Sequence, residues 1–116
     1  MKGDYIMNKN TEFRTRLYNE CVSAADFADQ AVMMAYAALG CSSELVFNRV
    51  LLVADLSCKA ARECASILYA DGNLSEDEWI VIEDIDNADS ELEGLHNLVN
   101  EIMEEEMEDD MEYECV

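Results

Sequence analysis

The side chains of this chain that could do chemistry are mostly carboxylates. From Glu76 to Glu114 there are eighteen Asp and Glu and no Lys or Arg. No catalytic set stands out among them. One histidine, His96, is available as a base, and there is no glycine-rich phosphate loop and no nucleophile elbow. The acids are too numerous to single out a general acid–base pair, and no enzyme is expected. The five cysteines include no Cys-x-x-Cys. Cys58 and Cys64 are six residues apart, about 240° around a helix, and cannot clamp one metal. Cys21, Cys58 and Cys64 instead read as small apolar filler of a core. The run Asp71-Gly72-Asn73-Leu74-Ser75-Glu76 begins like a calcium loop. It fails the EF-hand pattern, because Glu76 stands where glycine is required and Ile82 where the bidentate Glu belongs. No metal and no cofactor is expected.

What remains is the charge itself. Residues 1–62 hold seven basic and seven acidic residues, whereas residues 63–116 hold twenty acids and no base, so the net charge of −20 sits in the second half. Such asymmetry points to a class of partner rather than to a fold. As a helix at 1.5 Å per residue, 76–114 spans roughly 58 Å, about one negative charge per 3.3 Å; a DNA strand carries a phosphate about every 3.4 Å. A rigid helix bearing that charge resembles a nucleic-acid backbone to a basic groove. It is also costly, since like charges four residues apart destabilise a helix by a few tenths of a kcal/mol each. The residues expected to meet a partner are Glu83, Asp84, Asp86, Asp89, Glu91, Glu93, Glu101, Glu104, Glu105, Glu106, Glu108, Asp109 and Asp110. Arg14 and Arg16 dilute the charge of the first helix and make its acids poorer candidates.

The elements that must position these acids read as helices. There is no proline and there are four glycines in 116 residues, so the usual breakers are missing. Hydrophobic residues make up 51% of the chain, enough for a core. Leu17, Cys21, Ala24, Ala28, Ala31, Ala35 and Ala38 form a 4–3 stripe, flanked by a second row of Val22, Ala25, Val32, Tyr36 and Leu39. This helix is expected over about 11–39, with Gly40 as its C′ residue. Ser42 or Ser43 caps a second helix, which Asp71-Gly72 ends. Its first stripe is Phe47, Val50, Ala54, Ser57, Ala61, Cys64 and Leu68, and its second row is Val46, Val53, Ala60 and Ile67. Ser75-x-x-Glu78 is a capping box before Trp79-Ile80-Val81-Ile82. Beyond it Ile82, Ile85, Ala88, Leu92, Leu95, Val99 and Ile102 keep one phase. That favours a single long helix, although Asn87 to Ser90 are weak helix formers and Ser90-x-x-Glu93 offers a second cap.

The expected fold is therefore an all-α antiparallel bundle of three long helices, or four shorter ones. Residues 1–10 are expected to be disordered, 11–112 to form the bundle, and 113–116 to be a frayed acidic end. Two helices apolar on more than one face imply self-association, most simply a homodimer. The start lacks the apolar region of a signal peptide, and the longest apolar run, Ala31 to Leu39, is too short to span a bilayer, so a cytoplasmic protein is expected. The turn Ala70-Asp71-Gly72-x-Leu74-Ser75-x-Asp77-Glu78 resembles that of tellurite-resistance TerB-like helical domains over some ten residues, and no function is carried from it. In size, charge and helical frame, the chain resembles the small DNA-mimic inhibitors of phages, of the anti-restriction and anti-CRISPR kind. That resemblance is compositional and rests on no shared motif. It implies an acidic inhibitor that occupies the basic groove of a host nuclease or defence complex, in the bacterial host cytosol, and does not itself bind nucleic acid. The alternative is an acidic helical adaptor or chaperone-like module for another basic protein.

Overall fold

Three helices account for nearly all of the described residues: α1 (Lys2–Cys41), α2 (Glu44–Asp71) and α3 (Glu76–Glu114). The structure, a computed structural model, describes the backbone of residues 2–41 and 43–114 and the side chains of residues 11–40 and 43–105. Two short connections make α1 and α2, and α2 and α3, antiparallel neighbours, and all three pairs pack on one another. The result is a rod of 83 × 21 × 19 Å.

Each helix end has a local cause. Ser43 caps α2, its Oγ accepting from the Val46 N–H at 3.3 Å. At the other end Gly72 has φ +80° and Asn73 φ +50°, and the Gly72 N–H donates to the Tyr69 carbonyl. The capping box of α3 closes both ways: the Ser75 N–H donates to Glu78 Oε1 at 2.8 Å, and the Glu78 N–H to Ser75 Oγ at 3.2 Å.

Two boundaries differ from the sequence reading. The backbone of α1 is helical from Lys2 rather than from about Thr11. Extending an existing helix is cheap and needs no apolar partner, and no proline stands in the way. Gly40 is not a C′ residue, because α1 continues through it to Cys41 and only Gly72 among the glycines has positive φ. α3 is one helix, as its unbroken apolar phase favours. Ala88 is buried between Ile85 and Leu92, and a break at Ser90 would forfeit that unbroken line.

The core is narrow and built largely from small side chains. α1 contributes Leu17, Cys21, Ala25, Ala28, Ala31, Val32, Ala35 and Ala38. α2 contributes Phe47, Ala54, Cys58, Ala61, Ala65 and Leu68, and α3 Val81, Ile85, Ala88, Leu92 and Leu95. Alanine lets helix axes approach closely, and the longer side chains of α3 fill the groove that results. Cys21 and Cys58 are core filler as expected, but Cys64 is only half-buried. It lies at the edge of α2's core line, which is rotated toward Cys58 and Ala65. The second row of α2, Val46, Val53, Ala60 and Ile67, is exposed throughout.

The two glycines should respond oppositely to alanine. Gly72→Ala forces a Cβ into the left-handed region and should destabilise the protein by about 1–2 kcal/mol. Gly40 is helical, and a Cβ there meets nothing within 4 Å. Gly40→Ala should therefore be neutral or stabilising by up to about 1 kcal/mol. Urea midpoints of the two variants check this, and equal effects would contradict the assignment of the turn.

Candidate functional site

The acids singled out from the sequence all lie on α3. Glu83, Asp84, Asp86, Glu91, Glu93, Glu101, Glu104 and Glu105 are exposed. Glu106, Glu108, Asp109 and Asp110 continue the same helix, and their side chains lie outside those described. Asp89 is the exception. It is half-buried and pairs with Arg62 of α2 at 3.4 Å. Arg62 is the last basic residue of the chain, and this pair offsets part of the charge of Asp89.

The acids do not share one face. With Ile85, Ala88, Leu92 and Leu95 turned to the hairpin, at about 100° per residue, three directions emerge. Glu83 and Glu101 lie five turns apart on the back of the helix. Asp86, Glu93 and Glu104 line the flank toward α2, and Asp84 and Glu91 the flank toward α1. Charge thus lies on every side of α3 except its buried line, interrupted by the exposed Trp79, Ile80 and Leu98. The hairpin holds it at several points. His96 Nε2 lies 2.6 Å from Asp55 Oδ1, and the Tyr36 hydroxyl donates to the Glu91 carbonyl at 2.9 Å. Gly94 makes room for that hydroxyl, since a Cβ there would come within 3.3 Å of it.

The strongest polar cluster is one that the sequence reading passed over. Arg14 of α1 donates from Nε to Glu78 Oε2 at 2.6 Å and from Nη1 to Asp71 Oδ2 at 2.6 Å. Its Nη2 donates to the Asn73 carbonyl and to Glu78 Oε1. One guanidinium thereby ties α1 to the end of α2, to the turn and to the start of α3. These bonds, to Glu78 first and then Asp71, keep Arg14 charged above its ordinary range. In return Arg14 holds the Glu78 carboxyl down at about 2, helped by Ser75 and opposed by burial. The signal was present: Arg14, Leu17 and Cys21 share the 3–4 phase of the core stripe, and a cation on such a stripe needs an acid facing it. A cleft lined by Thr11, Arg14, Tyr18, Ser75 and Glu78 opens beside the cluster. Four of the five Arg14 N–H donors are committed within the protein.

Among the described residues, no group of three or more His, Cys, Asp or Glu is placed to hold a metal ion, and no helix is long and apolar enough to cross a membrane. No family model matches the chain, and neither does any curated protein or solved structure.

Two outcomes follow from these environments. Burial pushes the Cys21 thiol up to about 11, with the Cys64 thiol beside it adding to the effect, and burial also raises Cys58. With Cys41 and Cys115 replaced by serine, a thiol reagent on the native protein should label Cys64 first. Labelling of Cys21 or Cys58 before Cys64 would contradict the core. The second concerns Glu78. Its folded value lies below its unfolded one, so its stabilisation is present above about pH 4.5 and is lost as pH falls toward about 2. Glu78→Gln should cost about 1–3 kcal/mol at pH 7. That difference from the parent protein should shrink through this window, as read by chemical denaturation at each pH. A difference unchanged at pH 2 would show that Arg14 does not engage the carboxylate.

Proposed function

We propose that the protein is an acidic nucleic-acid mimic that inhibits a partner by occupying its basic nucleic-acid-binding groove. The partner class is a nuclease or another nucleic-acid-binding defence protein. The observation that carries this reading is the uninterrupted α3, whose exposed acids are matched on the hairpin by few cations. Solubility alone does not require charge at this density on one element, given what self-repulsion costs the helix. Continuity supports the reading, because a break near Ser90 would have split the acids between two helices. The spread of charge around the helix supports it too. A groove that wraps a backbone can contact Glu83 and Glu101 at its floor and the flanking acids at its walls. Glu78 and Asp89 stand outside the proposed contact, being held by Arg14 and Arg62.

Binding through many screened contacts should weaken steeply with salt, as phosphate contacts do. The protein, immobilised and exposed to bacterial lysate, should retain a nuclease or DNA-binding protein that duplex DNA displaces. Each single Asp→Asn or Glu→Gln change should cost that complex no more than about 1 kcal/mol. Neutralising Glu83, Asp86, Glu93, Glu101, Glu104 and Glu105 together should abolish inhibition. Circular dichroism should show the helices retained, with stability equal or higher as repulsion is relieved. Full inhibition by that folded variant would end the proposal.

A further inference from the structure

The side of the α1–α2 hairpin that faces away from α3 is apolar and uncovered. On α2, Leu45, Leu52, Leu56, Ala60 and Ile67 are all exposed, Leu56 to 59%, with Arg49 and Glu63 exposed among them. At about 100° per residue, these seven fall within roughly 80° of one another, opposite the buried line of Ala54, Cys58, Ala61 and Ala65. Alongside, α1 presents Phe27, 70% exposed, and seven residues on Met34, 62% exposed. Phe27 lines a shallow groove with Leu56, Ala60 and Cys64. A strip of this kind on a chain so charged calls for a cover.

The order of residues along the strip indicates what covers it, because it reads alike in both directions about Leu56. Four residues to either side stand Leu52 and Ala60; seven to either side, Arg49 and Glu63; eleven to either side, Leu45 and Ile67. Within this strip every apolar position is mirrored by an apolar one and the cation by an anion, while at its margin Val53 is mirrored by Lys59. The eleven-residue spacing from Leu45 to Leu56 to Ile67 makes three whole turns each time, so the strip runs almost straight along the helix. Such a pattern suits an isologous contact, in which one patch must be complementary to itself; an unrelated partner would have no need of it.

We infer that α2 is the contact of a twofold homodimer, lying antiparallel on the same helix of a second copy with Leu56 at the axis. Arg49 then faces Glu63 of the partner subunit, and Glu63 faces the partner subunit's Arg49. Leu52 meets the partner subunit's Ala60, and Leu45 the partner subunit's Ile67. Neither Arg49 nor Glu63 is ion-paired within the described protomer. Charge selects this face as well. α2 holds three basic and four acidic residues, a net −1, against eighteen acids and no base on α3. Two chains of charge −20 can meet here with their third helices turned outward. The strip from Leu45 to Ile67 is roughly 33 Å long. Across the roughly 20 Å width of two helices it covers about 1,300 Å² in total, within the range of stable interfaces.

Sedimentation equilibrium of the full chain should give twice the 13.1 kDa of one chain. Leu56→Glu should yield a monomer with unchanged helicity, because Leu56 is exposed within the protomer. Arg49→Glu alone, and Glu63→Arg alone, should each weaken dimerisation about tenfold or more, since either change sets like charges together twice. The double exchange Arg49→Glu with Glu63→Arg should restore it. A parent protein that is monomeric at about 100 μM, or a dimer that survives Leu56→Glu, would overturn the inference. Single changes that weaken the dimer without rescue by the double exchange would overturn the antiparallel register.

Discussion

One guanidinium decides where the third helix begins. Arg14 reaches Asp71, the Asn73 carbonyl and Glu78 together, at the junction where α2 ends and α3 starts. Glu78 is also the returning arm of the capping box, so the same carboxylate closes the helix start and docks it on α1. A helix with eighteen acids and no base gains little from its own side chains. Its position depends on its buried line of Val81, Ile85, Ala88, Leu92 and Leu95, on this clamp, and on the smaller contacts of Asp89, His96 and the Glu91 carbonyl.

Charge and burial are divided between elements. The hairpin of α1 and α2 carries every basic residue and most of the small apolar ones, and two of its cations serve as fasteners. Arg14 and Arg62 each take an acid of α3. Acids at the start of α3, Glu76, Asp77 and Glu78, sit favourably at the positive end of the helix dipole. Toward the other end no base offsets the dipole. Electrostatics thus anchors one end of α3 and leaves the other presenting negative potential to whatever approaches.

The molecule consequently has two unlike surfaces. Over α3 it is a charged rod, suited to long-range attraction that salt screens. Over the outside of the hairpin it is apolar and close to neutral, suited to short-range packing. The two do not interfere, because α3 occupies one groove of the hairpin and leaves the other free. A copy joined through α2 keeps both acidic rods accessible, so self-association and engagement of a basic groove are compatible uses of different faces.

How much of this was legible beforehand varies with the kind of interaction. Periodicity alone identified three helices, the Ala-rich stripe of α1, and the line from Ile85 to Leu95, because helical spacing acts over a few residues. The capping box at Ser75 and Glu78 and the turn at Gly72 were legible for the same reason. The row Val46, Val53, Ala60 and Ile67 was legible as apolar, but whether it was core or surface was not. That depended on which groove α3 entered, and the Cys58 and Ala65 edge won the burial instead. Arg14 was read as diluting charge, since its partners lie 57 and 64 residues away. The acids of α3 were legible one by one, whereas their spread around the rod, and the pairing of Asp89 with Arg62, were not. The sequence by itself determined helix type, the helix ends marked by Ser43, Gly72 and the Ser75–Glu78 box, and the sign of each surface, because these follow from neighbours along the chain. Only the tertiary structure decided which apolar row is covered and which charges are spent, because both depend on contacts between segments far apart in sequence.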